Sequence, residues 1–402
     1  MARVLFINGG SEGHINPTIG VVQELISRGE EIVYITTESF RERIEKTGAI
    51  VRTFDELKFI KAFLSGGRNY LLERINGLLH TAEIVIPSIL EQINGEHFDY
   101  IIHDSMFGCG NILAQILQLP AISSCTTFAQ TKESFDKMLE EESIKIPSEI
   151  LHQIEAEFKN LKLKIKNNYG VEINSQYEVF CNPAPLTIVY TTKEFQPNGN
   201  SFDRSFSFVG PSVTSRVQNT DFDLAAIKSK NPIYISFGTV FNRAIDFYKL
   251  CFEAFGNSEH FILLSIGYHT NVSDLGEIPE NFIVKQYVPQ IEVLKNTKLF
   301  ISHGGMNSTS ESLYYGVPLI VIPQGADQPL IAKQIDNIGA GIHLEMQNLT
   351  PIQLRNAADQ VLNNASYHKE VTTISESFKK AGGYRQAVTE ILQFYSHYTS
   401  KN

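Results

Sequence analysis

No stretch of this 402-residue chain approaches the roughly 18 apolar residues that a membrane-spanning helix needs, so no span is expected. Cysteine is scarce as well: Cys109, Cys125, Cys181 and Cys251 are widely scattered, without a C-x-x-C pair or a histidine-rich spacing. Neither a disulfide framework nor a zinc site follows from them. Positive charge is outweighed, with 34 Lys and Arg against 44 Asp and Glu and a formal net charge of −10. That balance argues against non-specific attraction to phosphate backbones or anionic membrane surfaces, so neither a nucleic-acid nor a membrane partner is expected. The opening segment MARVLFINGG carries an apolar run too short for a signal-peptide core and leads directly into a turn. These absences point to a cytoplasmic chain in a reducing compartment, and a monomer is expected.

What is present is an ordinary globular composition, 43% hydrophobic and 19% charged, on a length that favours more than one domain. Short apolar runs alternate with amphipathic stretches. Arg3 to Asn8, Glu31 to Thr36, Tyr100 to His103 and Ala121 to Cys125 read as strands. Asn16 to Arg28 reads as a helix, with Ile15, Ile19, Val22 and Ile26 on one face, Pro17 in its first turn and Gly29 at its end. After a polar stretch, 212–231, the alternation restarts with Ile233 to Phe237, Phe261 to Ser265, Phe282 to Gln286, Leu299 to Ser302 and Leu319 to Ile322. Tyr384 to His397 reads as a closing helix. Strand–helix alternation at this spacing predicts parallel, doubly wound α/β sheets, here in two halves with a cleft between them. Ligands in such sheets bind beyond the carboxyl ends of the strands.

Two places there carry chemistry. His14 lies in NGGSEGHINP, between the first strand and the Pro17 helix, where the helix dipole disfavours the charged imidazolium. Asp104 ends the strand of DYIIHDSMF on the same rim, where a carboxylate accepting from one imidazole nitrogen would fix the tautomer. The same placement suits a histidine that packs the loop and an aspartate that caps the following helix. The neighbouring His103 should point to the opposite face and pack.

The second place is LFISHGGMNSTSESLYYGVPLIVIPQGADQ. A strand ends at Ser302, His303-Gly304-Gly305 follows, and a helix begins near Asn307. Glycines let backbone N–H groups approach a ligand, and a helix amino terminus suits a diphosphate. His303, Asn307 and Ser308 add side-chain donors, while Gly238 and Thr239 of a second glycine turn would reach the same phosphates. Ser308-x-x-Glu311 also matches a capping box. A dinucleotide site is disfavoured, because Gly9 to Gly13 does not fit G-x-G-x-x-G and the next strand ends in Thr36-Thr37.

With Tyr287-Val288-Pro289-Gln290, Leu294, Ser302 to Ser308, Glu311, Gly316-Val317-Pro318, Pro323 and Asp327-Gln328 in place, the chain resembles the UDP-glycosyltransferases of the macrolide and natural-product type over essentially its whole length. The resemblance implies a GT-B fold: two Rossmann-like doubly wound domains facing each other across a cleft. Residues 1–211 would bind the acceptor, 212–231 link the domains, 232–383 bind the UDP-sugar, and 384–402 pack back toward the first domain. It further implies that Tyr287 stacks on the uracil and that Val288 and Gln290 hold base and ribose. Glu311 would accept from ribose hydroxyls. Thr239, His303, Asn307 and Ser308 would hold the diphosphate, with Gly238 and Gly305 beside them, and Asp327 and Gln328 would bind the sugar. His14 matches the general base of the family and Asp104 its partner. Plant members carry Trp where this chain has Tyr287 and Met306, and this chain has none.

The activity so implied is inverting transfer of a hexose, glucose by the lean of Gln328, from a UDP-sugar to a hydroxyl of a small hydrophobic acceptor such as a flavonoid, another phenol, a macrolide or a sterol. No cofactor and no metal are expected, and Asp221-Phe222-Asp223 reads as solvated linker charge although it spells D-x-D. The rival readings are an epimerase acting on UDP-sugars, a non-catalytic nucleotide-sugar-binding protein and a nicotinamide-dependent oxidoreductase.

Overall fold

Strands buried on both faces need side chains that are apolar on both faces, and VLFI, IYIS and LFIS meet that demand. The computed structural model describes residues 1–214, 222–238 and 244–400, in two compact units, Met1–Ser212 with Gly382–Asn402 and Val213–Ala381. Among these residues the strands are β1 (Arg3–Ile7), β2 (Glu31–Thr37), β3 (Ile50–Phe54), β4 (Tyr100–Asp104), β5 (Ala121–Cys125), β6 (Leu186–Val189), β7 (Phe206–Phe208), β8 (Ile233–Ser236), β9 (Ile262–Ser265), β10 (Phe282–Lys285), β11 (Leu299–Ser302), β12 (Leu319–Val321) and β13 (Gly341–His343).

The first unit holds a seven-stranded sheet in the order β3-β2-β1-β4-β5-β6-β7, parallel at every pairing. Alternation along β1 sends Leu5 and Ile7 into one core and Val4 and Phe6 into the other. The first core is covered by the long helices Leu71–Gln92 and Ser148–Tyr169. The second is closed by the helix Glu12–Ser27 and by the last helix of the chain, Tyr384–Thr399. Ala387, Val388 and Ile391 of that last helix are buried in one cluster with Val22 and Leu25. The Tyr395 hydroxyl donates to Asp99 at 3.1 Å, and its ring lies 4.9 Å from that of Tyr100.

The second unit repeats the pattern with six strands, β10-β9-β8-β11-β12-β13, again all parallel. Its core gathers Ile233, Ile235, Leu264, Ile301 and Ile320 under the helices Ile245–Phe255 and Pro351–Asn363. The later part of the 212–231 stretch belongs to this unit and is folded. Leu224–Ala226 forms a short 3-10 helix capped by Asp223, whose carboxylate accepts from the Ala225 N–H at 2.9 Å, and Ile227 is fully buried. Asp221, the other acidic residue of D-x-D, lies outside the described residues.

In both sheets the order reverses beside the central strand. β1 runs between β2 and β4, and β8 runs between β9 and β11. The crevice at such a reversal, beyond the carboxyl ends of the strands, is where open α/β sheets take ligands. The residues singled out in the sequence stand at those ends: His14 follows β1, Asp104 closes β4, Gly238 follows β8 and His303 follows β11. Among the described residues no helix is long and apolar enough to cross a membrane.

Candidate active site

The first helix begins earlier than its sequence suggested. It runs Glu12–Ser27 from an extended Ser11, so Pro17 stands inside it rather than in its first turn. His14 is therefore the third residue of a helix and not a loop residue, with its N–H on the Ser11 carbonyl at 3.0 Å. Its carbonyl accepts from the Asn8 side chain at 3.1 Å, and the Asn8 side-chain oxygen accepts from the Gly10 N–H at 3.1 Å. Asn8 is fully buried, so it pins both ends of the loop that carries the imidazole.

Parallel pairing brings the partner across. Ile7 lies opposite His103 in the β1–β4 ladder, which puts Asp104 one residue beyond the end of β1. His14 Nδ1 and Asp104 Oδ2 are 2.8 Å apart. The other carboxylate oxygen accepts from the Met106 N–H at 2.8 Å, and Asp104 is only 2% exposed. The aspartate is thus held as an acceptor and selects the tautomer with hydrogen on Nδ1 and the lone pair on Nε2. A third member was not read from the sequence: Thr126, just after β5, places its Oγ1 3.1 Å from His14 Nδ1. Only the β4–β5 pairing, with Asp104 opposite Ser124, puts that threonine on the same rim.

His103 turns away, as alternation requires. It is fully buried, with Nδ1 3.3 Å from the Asp104 carbonyl oxygen, and burial pushes its pKa down to about 4.

In the second unit β11 ends at Ser302 and the helix Met306–Tyr314 starts at the cap residue Gly305, with no side chain bonded to the cap. Ser308 is the third residue of that helix and not its cap, so the capping box suggested by Ser308 and Glu311 does not form. Glu311 instead accepts from the Gln290 amide at 2.7 Å, and the same amide nitrogen reaches Ser308 Oγ at 3.2 Å. Gln290 opens the helix Gln290–Leu294, and its side-chain oxygen accepts from the Tyr234 hydroxyl at 3.3 Å. Three of the sequence-selected residues are therefore bonded together, Gln290 from one helix and Ser308 and Glu311 from another, with Val288 two residues before Gln290. Glu311 is 3% exposed, a buried carboxylate with the neutral Gln290 amide as a donor.

His303 fills the floor of the turn. A Cβ on Gly238 would come 2.7 Å from His303 Cε1, and one on Gly305 would come 2.6 Å from its Nε2, so both positions need glycine for this approach. Burial pushes the His303 pKa down to about 4 although the ring also bonds the Ser236 backbone. Asp327 caps the helix Gln328–Asn337 and follows Ala326, whose φ of 56° is left-handed for a residue with a side chain. The Gln328 side-chain oxygen closes this turn, accepting from the Gln324 and Gly325 N–H groups at 2.7 and 3.2 Å. Asn307 is the second residue of the Met306–Tyr314 helix, Tyr287 stands half-buried just after β10, and Thr239 lies outside the described residues.

Two histidines kept neutral by desolvation, the fully buried His103 and the half-buried His303, make stability depend on pH. An unfolded histidine titrates near 6.5, so between that value and about 4 the unfolded chain binds protons that His103 and His303 do not. Stability is expected to be full above pH 6.5 and to fall as the pH drops toward 4, by up to about 3 kcal/mol per histidine. Thermal melts across this range should show a shallower decline in His103→Gln; a parallel decline would show that the histidine does not titrate this way.

Residues 249–383 match the family model for the erythromycin biosynthesis protein CIII-like C-terminal domain. Over 396 residues the chain is 38% identical to the uncharacterized UDP-glucosyltransferase YojK of Bacillus subtilis, covering 98% of this chain and 97% of that protein. The chain belongs to the UDP-glycosyltransferases of the macrolide and natural-product type. It is 34% identical to the NDP-glycosyltransferase YjiC of Bacillus subtilis, over 98% of this chain and 97% of that one. A crystal structure of the glycosyltransferase of kitacinnamycin superposes with a TM-score of 0.85 at 23% identity, covering 98% of each chain. This glycosyltransferase therefore has the GT-B fold, two Rossmann-like units each built on a parallel sheet. Among its described residues no group of three or more His, Cys, Asp and Glu side chains is arranged to hold a metal ion.

Proposed function

We propose that this glycosyltransferase moves glucose from UDP-glucose to a hydroxyl of a small, largely apolar acceptor, with inversion at the anomeric carbon. The observation that carries the reading is the His14–Asp104 contact at 2.8 Å at the carboxyl ends of β1 and β4. With its Nδ1 hydrogen on Asp104, His14 offers Nε2 to the acceptor hydroxyl. Nε2 takes the proton as the acceptor oxygen bonds the anomeric carbon and the bond from that carbon to the diphosphate oxygen breaks. UDP leaves with the bonding pair. Asp104 keeps its charge and stabilises the imidazolium, and the Thr126 hydroxyl oxygen is a second acceptor beside the same Nδ1 hydrogen.

Charge building on the diphosphate meets the amino end of the Met306–Tyr314 helix, with His303, Asn307 and Ser308 beside it. These groups stabilise the leaving group without a metal ion. The Glu311 carboxylate takes the ribose hydroxyls, and Asp327 with the Gln328 amide takes those of the sugar. Support for glucose comes from the similarity to YojK, named as a UDP-glucosyltransferase. An apolar acceptor is supported by the half-buried Phe59 ring beside the loop before His14, behind which Phe107 belongs to the core. A Cβ on Gly9 would meet the Phe107 ring at 2.9 Å and the Phe59 ring at 3.5 Å, and these two rings lie 5.9 Å apart.

The test is product formation from UDP-glucose with phenols, flavonoids, macrolides and sterols, followed by mass spectrometry. A hexose-shifted product is expected from at least one acceptor class, with activity nearly unchanged by excess chelator. Consumption of UDP-glucose without any acceptor would favour an epimerase. UDP binding with no product from any donor or acceptor would leave a binding protein, and abolition by the chelator would remove the metal-free step.

A further inference from the structure

The nucleotide half of the second unit holds an aromatic residue that the family signature does not include. β9 and β10 are parallel neighbours, and their ladder continues past both strand ends: Ile266 N–H donates to the Lys285 carbonyl and Gly267 N–H to the Gln286 carbonyl, each at 2.9 Å. The residues that follow those two pairs are Tyr268 and Tyr287. Their rings are parallel to within 6°, with centroids 6.0 Å apart. The backbone under Tyr268 is anchored on both sides. Ile266 is fully buried and its carbonyl accepts from the Tyr248 hydroxyl at 3.4 Å, while the Gln286 amide reaches the Thr270 carbonyl at 3.5 Å. Between these anchors the Tyr268 ring stands 71% exposed, a large aromatic surface left in solvent.

We propose that Tyr268 is the second wall of the nucleobase site, closing over the base so that the ring lies between it and Tyr287. The inference rests on the UDP-sugar reading above, in which Tyr287 supplies the first wall. A flat ring in contact with both neighbours needs about 7 Å between them, twice a carbon–carbon contact of about 3.5 Å. The pair is already parallel, and with centroids 6.0 Å apart its faces are no further apart than that, so a base enters only when the exposed Tyr268 side chain swings outward on its anchored backbone. Widening therefore takes a side-chain adjustment and no break in the β9–β10 ladder. Face-to-face stacking also buries the apolar surface that Tyr268 exposes, and a quadrupole interaction on each face of the base adds to that burial.

The experiment measures UDP binding by calorimetry, the KM for UDP-glucose, and inhibition by inorganic pyrophosphate, in the wild type, Tyr268→Ala and Tyr268→Phe. Removal of one stacking wall is expected to raise the UDP Kd and the donor KM roughly ten-fold, the scale of a base–aromatic stack, with kcat changed less than about two-fold. Tyr268→Phe should restore both constants, because the face and not the hydroxyl is used. Pyrophosphate has no base, so its inhibition constant should be the same in all three proteins, which a distorted phosphate turn would not allow. Unchanged UDP binding in Tyr268→Ala, with UDP-glucose still turned over, overturns the second wall and leaves the proposed activity standing. An equal loss for pyrophosphate and UDP overturns it as well. Failure of the wild type to bind UDP at all removes the donor reading and this inference together.

Discussion

His14→Ala is expected to lower kcat by roughly 10²- to 10⁴-fold, the usual worth of a positioned general base. UDP binding should be untouched, since the side chain lies in the first unit and the residues proposed to hold the nucleotide lie in the second. The geometry makes this a sharp test. The imidazole is bonded to a carboxylate that is 2% exposed and whose second oxygen is already occupied by the Met106 N–H. Asp104→Asn keeps the shape but puts an amide where the carboxylate accepts, so either the wrong tautomer is favoured or the contact is lost. Its kcat should fall in the same direction while KM for the donor stays level. Steady-state rates at saturating UDP-glucose, with UDP affinity measured separately, decide the matter. Retention of more than about a tenth of kcat by His14→Ala would leave the histidine outside the range for a general base.

Glu311→Ala is expected to act on the donor instead, raising the KM for UDP-glucose roughly ten- to hundred-fold, since a hydrogen bond to a charged group is worth about 1.5–3 kcal/mol. The carboxylate is buried, with the Gln290 amide at 2.7 Å, and the proposed ribose would add two hydroxyl donors to the same oxygens. Glu311→Gln should fall between wild type and alanine, because an amide can accept from one hydroxyl but carries no charge. A helix-capping role predicts something else, a lower melting temperature with KM unchanged. The cap at Gly305 already argues against that outcome, and a melting curve beside the kinetics separates the two.

Much of this site could be read from the sequence, and the parts that could not share a cause. Strands such as Arg3–Ile7 and Leu299–Ser302 announce themselves because burial on both faces demands an unbroken apolar run ending in glycine or a polar turn. β3, with Arg52 at its middle, and β7, with three residues, are edge strands and lack that signature. β13, GIH, is likewise an edge strand, whereas β6, LTIV, is buried along its length like β8 and carries a run that the sequence does show. The proline in the first helix misled the boundary. Pro17 fits a first turn by its missing N–H, yet the helix starts five residues earlier, at Glu12, and carries Pro17 inside it. Thr126 and Asn8 were invisible for another reason. Each acquires its role from strand pairing or loop closure around His14, and neither belongs to a local pattern. Glu311 shows the converse: a local pattern was present, but the partner that Glu311 takes is Gln290, twenty-one residues away.

The last helix completes the first unit, so along the chain the second unit is an insertion, entered after Ser212 and left before Gly382. Exchange of donor halves between relatives therefore requires two junctions. A chimera crossed once, between Ser212 and Val213, brings in a foreign terminal helix along with the foreign sheet. That helix must then fit the native Val22 and Leu25 surface that Ala387, Val388 and Ile391 now cover. Compatibility in such hybrids is decided on the face of the first helix that carries Val22 and Leu25, so on the proposed division of roles the inheritance of donor preference is limited by packing within the first unit.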